Sequence, residues 1–174
     1  MKYILTALLF FILAGASYSQ DDILAKAKFG MSGDELMSAF KDQRIASYSY
    51  SDNDDNNSDD DDNDNDDNNN RSGYRISSYS IDGNSYSVRF SMNRGKLKEI
   101  RFSLNKNAKA ADIYENWKKV FNAKFGNNVH ENDFSGYGRT QNERAWEDSN
   151  VHVELNYFSG NGRTAVDITY SREN

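Results

Sequence analysis

The chain has 174 residues, 28% of them charged, with no cysteine and no proline. That length fits one domain with a sizeable core, and the missing cysteines exclude a disulfide framework, a thiolate metal centre and acylation on an N-terminal cysteine. The net charge of −6 is misleading: without Lys2 it is −7, and setting aside the ten aspartates of residues 52–70 leaves a mildly basic body at +3.

The first nineteen residues read as an export signal. Lys2 precedes an apolar run from Ile4 to Ala16 that only Thr6 interrupts, and Ser17-Tyr18-Ser19 places small residues at −3 and −1 before Gln20. The run falls short of the roughly 20 apolar residues that span a bilayer. Cleavage is therefore expected near Ser19/Gln20, leaving a mature domain of residues 20–174 in the periplasm or the medium. No later run approaches membrane length.

Ser32-Gly33-Asp34-Glu35 has the capping-box pattern and predicts a short helix through Leu36, Met37 and Phe40. The segments Ile45 to Tyr50 and Tyr74 to Ile81 mix Ser with Tyr and Ile at near-alternating spacing and predict two strands. Between them, Asp52 to Asn70 consists of ten Asp, eight Asn and Ser58. Its like charges and poor propensities predict a disordered insertion at the tip of a β-hairpin. Asp82-Gly83 then reads as a tight turn. Tyr86, Val88, Phe90 and Met92 alternate with polar residues, Asn93-Arg94-Gly95 turns again, and Ile100, Phe102 and Leu104 continue as a strand. Lys96 and Lys98 share their parity, so either the register breaks near Glu99 or those side chains reach past the core edge.

The second half repeats this order. Asn107 is placed to cap a longer helix with the apolar stripe Ile113, Trp117, Val120, Phe121 and Phe125, stopped by Gly126. An irregular stretch to Gly138 is followed by three strands, marked by Trp146, by Val151, Val153, Leu155 and Tyr157, and by Val166, Ile168 and Tyr170. Clean alternation means one buried and one wet sheet face. The expected fold is α+β: two tandem helix-plus-antiparallel-meander units forming one sheet of about seven strands, with two helices on one face.

On Phe29-Gly30-Met31-Ser32 leading into the first helix, Gly95-Lys96-Leu97 opening a strand and Phe125-Gly126 closing the second helix, the chain resembles the β-lactamase-inhibitory-protein fold. It is similar also to the SmpA/OmlA-type outer-membrane-assembly lipoproteins. The resemblance covers Phe29 to Tyr170 less the tract. It implies a protein-binding scaffold and carries over no functional residue.

Chemistry-bearing patterns are few. Asp52, Asp54, Asp60, Asp62 and Asp64 lie at the D-x-D spacing with which calcium loops begin. Asn57 and Asn65 replace the turn glycine, and Asn63 and Arg71 replace the bidentate glutamate, so the tract reads as a diffuse polyanion that gathers Ca²⁺ weakly or simply solvates. His130, near Glu131 and Asp133, and His152, on a strand's polar face, read as surface histidines rather than zinc ligands. Ser135 lacks the preceding glycine of a nucleophile elbow. Tyr48, Tyr50, Tyr74 and Tyr79 flank the tract, and those that face outward form a candidate binding surface. A mildly basic body beside a polyanion argues against nucleic acid. The expected function is a non-enzymatic exported binding or scaffold domain for a protein or envelope component, without a cofactor. Calcium association through the tract and a small periplasmic enzyme are the alternatives.

Overall fold

A computed structural model describes residues 19–50 and 71–172. Residues 1–18 of the export-signal segment and the whole Asp/Asn tract, 52–70, lie outside these residues. The described chain runs α1 (Ser19–Lys26), α2 (Gly33–Ala39), β1 (Ile45–Tyr50), β2 (Arg71–Ile81), β3 (Asn84–Asn93), β4 (Lys96–Leu104), α3 (Ala110–Phe125), β5 (His130–Gly136), β6 (Arg139–Asp148), β7 (Val151–Gly160) and β8 (Arg163–Arg172). It is an α+β fold with one antiparallel sheet of eight strands, ordered β1-β2-β3-β4-β8-β7-β6-β5. A helix followed by a four-stranded meander occurs twice. The two meanders join through their last strands, β4 and β8, at the centre of the sheet.

Turn chemistry closes the hairpins. Asp82-Gly83, Arg94-Gly95, Tyr137-Gly138 and Asn161-Gly162 each put two successive residues at positive φ, as a type I′ turn requires. The glycine takes the second position at no steric cost, so register is set four times by local sequence. In β1 and β2 the pairing runs from Ile45 opposite Ile76 to Tyr50 opposite Arg71. The tract is thus the connection between two directly paired residues.

Two bulges adjust the parity. One lies between Ile76 and Tyr79 on β2, the other between Ser91 and Met92, where Glu99 and Leu97 face β3 and Lys98 is the extra residue. The register therefore does break near Glu99. Leu97 reaches the core, 1% exposed, and Lys98 stays outside the alternation.

All three helices pack on one face. On α2, Glu35 N donates to Ser32 Oγ at 3.3 Å and Ser32 N donates to Glu35 Oε2 at 2.7 Å, a complete capping box. Leu36 and Phe40 are buried, Phe40 against Phe90, while Met37 points outward. On α3, Ile113, Trp117 and Phe121 face the sheet. Phe121 contacts Trp117, Phe125, Trp146 and Tyr170. Trp117 Nε1 donates to Tyr86 Oη at 2.9 Å, which satisfies a polar tip inside the core.

The structure differs from the sequence expectation in three places. The sheet has eight strands rather than about seven, because His130–Gly136, expected to be irregular, pairs with β6 from His130 opposite Ala145 to Gly136 opposite Arg139. There are three helices rather than two: α1 precedes the capping box, with Ile23 and Ala27 buried. Gln20, the residue expected to lead the mature domain, is itself buried, and its Nε2 donates to Tyr170 Oη. Finally, Asn107 does not cap α3. Its Oδ1 accepts from Lys109 N at 2.8 Å, an Asx turn two residues early, and Lys109 holds the cap position without a side-chain bond.

Candidate functional site

With the helices on one side, the other side of the sheet is largely polar, apart from Phe134, 48% exposed, and Phe158 near the β5 edge. Strand pairing places one continuous row across all eight strands: Ala46, Arg75, Arg89, Arg101, Thr169, Glu154, Ala145 and His130. Three arginines thus stand side by side on β2, β3 and β4, with adjacent strands about 4.8 Å apart. Arg75 and Arg89 are exposed, and neither has a carboxylate within ion-pair distance among the described residues. Arg101 reaches Glu99 Oε1 from Nη2 at 3.4 Å, and its Nε is buried without an acceptor. Like charges directly opposite one another oppose pairing. The row is tolerated because Arg75 and Arg89 are exposed to water and Glu99 offsets part of the Arg101 charge.

The adjoining row runs Tyr48, Gly73, Ser91, Glu99, Ser171, His152 and Glu147. Tyr48 is half-buried, and the end of its ring reaches over Gly73. A Cβ at Gly73 would sit 2.8 Å from the Tyr48 Cζ and Oη and 2.2 Å from the Phe90 carbonyl oxygen. Only glycine lets β3 and the ring approach that closely.

Toward β7 and β6 the sign of the face reverses. His152 is held between Glu147, 2.5 Å from Nδ1, and Glu154, 3.1 Å from Nε2. Burial alone would lower its pKa, but the two carboxylates outweigh that and raise it. His130 Nε2 lies 3.9 Å from Glu143 Oε1. The open face is therefore polarised, basic over β2–β4 and acidic over β7 and β6.

The four tyrosines flanking the tract do not form one surface. Tyr48 lies on the open face, whereas Tyr74 and Tyr79 lie on the helix face, half-buried against the core. Tyr74 Oη sits where a side chain on Gly33 of α2 would begin. For Tyr50 the backbone pairing with Arg71 is described. Of the acidic candidates, Asp52, Asp54, Asp60, Asp62 and Asp64 lie outside the described residues. Among the described residues no group of three or more His, Cys, Asp and Glu side chains could hold a metal ion. Ser135 is exposed on the edge strand β5, opposite Thr140.

Two further features escaped the sequence reading. Arg144 of β6 points to the helix face beside α3 and is 3% exposed. It bonds Asp133 through both Nη atoms and Glu131 through Nη2 at 2.7 Å, while its Nε and Tyr114 Oη have no protein partner. Burial pushes the Tyr114 pKa up to about 12. The second feature is a shallow cleft of about 740 Å³ at the end of the sheet, lined by Arg94, Lys96, Lys98 and Arg172 with Glu147. Basic residues at a β-turn gave no periodic signal for it.

Compared with known proteins, the chain matches no family model, no curated protein and no solved structure. Among the described residues no helix is long and apolar enough to cross a membrane.

Proposed function

We propose that the chain is an exported, non-enzymatic binding domain that engages a protein or envelope component through the open face of its sheet. Residues 1–19 would deliver it to the periplasm or the medium, as the charge-then-apolar pattern with small residues before Gln20 suggests. The observation that carries the reading is the arginine row Arg75–Arg89–Arg101. It sets two exposed arginines, Arg75 and Arg89, beside Arg101, which is paired with Glu99, on adjacent paired strands, where ordered elements favour a preorganised contact. The tandem helix-plus-meander plan is the ground for proposing kinship with the β-lactamase-inhibitory-protein fold, whose members this reading would join as a scaffold.

The test has two arms. N-terminal sequencing of the exported protein should begin at Gln20. Capture from an envelope fraction should then be compared between the wild type, the open-face variant Arg75→Glu/Arg89→Glu and the α3 variant Lys119→Glu. Loss of the captured component with the first variant alone supports the reading. Equal capture by all three, or turnover of a small substrate by the purified protein, would overturn it.

A further inference from the structure

We infer that the arginine row is a binding site for a linear acidic polysaccharide, with Tyr48 as the platform on which a sugar ring rests; this deepens the open-face reading and depends on it. The first ground is electrostatic. Arg75, Arg89 and Arg101 start from directly opposed backbone positions, so two strand spacings of about 4.8 Å place three positive side chains within roughly 10 Å. Alone, that arrangement is unfavourable. A chain of repeated anionic groups laid across the strands turns the same row into a favourable one.

The second ground is the kind of cation. All three positions are arginine, whose planar fork pairs two hydrogen bonds with a carboxylate or sulfate, where lysine would offer only a point charge. Arg101 already reaches Glu99 at 3.4 Å, so the exposed Arg75 and Arg89 carry most of the charge open to a ligand.

The third ground selects a sugar over a bare anion. The ring end of Tyr48 reaches over Gly73, in the row next to the arginines, where a Cβ would sit 2.8 Å from its Cζ and Oη. A flat aromatic face beside guanidinium groups suits a ligand with apolar C–H faces between anionic substituents. Pyranose rings carrying carboxylate or sulfate have that character. A polyphosphate chain has no use for the ring. The acidic half of the face, with Glu154 and the Glu147–His152 pair, confines such a ligand to β1–β4. A footprint of about three charges gives modest affinity that salt weakens steeply.

The experiment titrates the intact chain, tract included, with polygalacturonate, heparin, neutral dextran, inorganic polyphosphate and phosphatidylglycerol vesicles at about 50 mM salt and again at about 200 mM. Polygalacturonate or heparin should bind and dextran should not. Arg89→Ala should weaken glycan binding about tenfold and Arg89→Lys by less. Each arginine removed should make the log–log salt slope shallower, by less than about one. Tyr48→Ala should weaken glycan binding but leave residual polyphosphate binding unchanged, and Tyr48→Trp should restore it. Polyphosphate or vesicles binding as tightly as the glycans, with Tyr48→Ala silent, would overturn the sugar assignment. So would loss of binding through Lys96→Ala in the end cleft but not through Arg89→Ala. No acidic glycan binding at low salt would overturn the inference outright. A protein captured on the open face would then leave the broader reading standing.

Discussion

Arg144 of β6 grips Asp133 of the neighbouring strand β5 with two parallel hydrogen bonds, 2.7 Å from Nη1 and 2.8 Å from Nη2. The guanidinium is buried and the carboxylate is half exposed. The bonds from Arg144 hold the Asp133 carboxyl below its ordinary value of 3.8. A depressed folded-state pKa contributes stability that is present above 3.8 and lost as pH falls through the folded value. Wild-type protein should therefore lose melting temperature on acidification below pH 4, more steeply than Arg144→Met. Because Asp133 is half exposed, Asp133→Asn alone should cost only about 1 kcal/mol at neutral pH. Removing both carboxylates, Glu131→Gln with Asp133→Asn, strands a buried charge and should cost roughly 3 kcal/mol. Thermal melts across pH read all of this.

His152 titrates in the opposite sense. Glu147 and Glu154 on its two ring nitrogens outweigh its burial and raise its pKa above 6.5. A raised folded-state pKa contributes stability that is full below 6.5 and lost as pH rises through the folded value. Melting temperature should drift down above neutrality in the wild type and stay flat there in His152→Asn. A wild-type profile that rises through that window would contradict the geometry.

Phe121, 1% exposed, ties α3 to the sheet through the rings of Trp146 on β6 and Tyr170 on β8, and packs along the helix against Trp117 and Phe125. Phe121→Ala should cost about 3–5 kcal/mol through lost burial and a cavity between helix and sheet. Met37→Ala on the outward side of α2 should cost well under 1 kcal/mol, since Met37 is 48% exposed. Denaturant midpoints compare the two directly.

How much of this was legible follows from where periodicity survives. Tyr86, Val88 and Phe90 alternate because β3 has one wet and one buried face. The turns at Asp82-Gly83 and Arg94-Gly95 were legible because a positive φ favours few residues, whereas Tyr137-Gly138 was absorbed into a stretch read as irregular. Strand β5 was not legible: His130 to Ser135 are all exposed on a sheet edge, so no alternation exists to read. The arginine row was hidden by the bulges. Counted straight back from the Arg94-Gly95 turn, Arg89 falls opposite Ile100, and only the slip at Glu99 brings it to Arg101. The parity clash at Lys96 and Lys98 was the signal, and it pointed to a bulge without saying what the shifted register would align. Arg144 broke the pattern differently. A charge at a core-facing position is intelligible only once Glu131 and Asp133 are known to stand beside it.

Strand β1 is the sheet edge next to the tract. Its sequence, Ile-Ala-Ser-Tyr-Ser-Tyr, contains neither a charge nor a proline to discourage pairing with another copy. The ten aspartates that follow it supply like-charge repulsion between copies. Replacing residues 52–70 with a short turn should leave the melting temperature equal or higher, since shortening the connection recovers about 1.5 kcal/mol of loop closure. The same variant should associate with rising concentration, as sedimentation would show. A fall in melting temperature of more than about 5 °C would contradict the first expectation, and a monomer at all concentrations the second.

Calcium separates a diffuse polyanion from a built site. The tract lacks the turn glycine and the bidentate glutamate of a calcium loop. Calorimetry should therefore show either no heat or weak, multi-site, entropy-favoured binding that disappears when residues 52–70 are replaced. Exposed charges are screened over about 8 Å at 0.15 M salt, so such binding should fade as salt is added. A coordinated ion would instead bind in one stoichiometric step, resist salt and raise the melting temperature by mass action. If calcium binds diffusely, it should also neutralise the repulsion that keeps β1 edges apart. Wild-type protein in millimolar calcium should then sediment like the shortened variant. One tight site with no change in association would contradict both halves of that expectation.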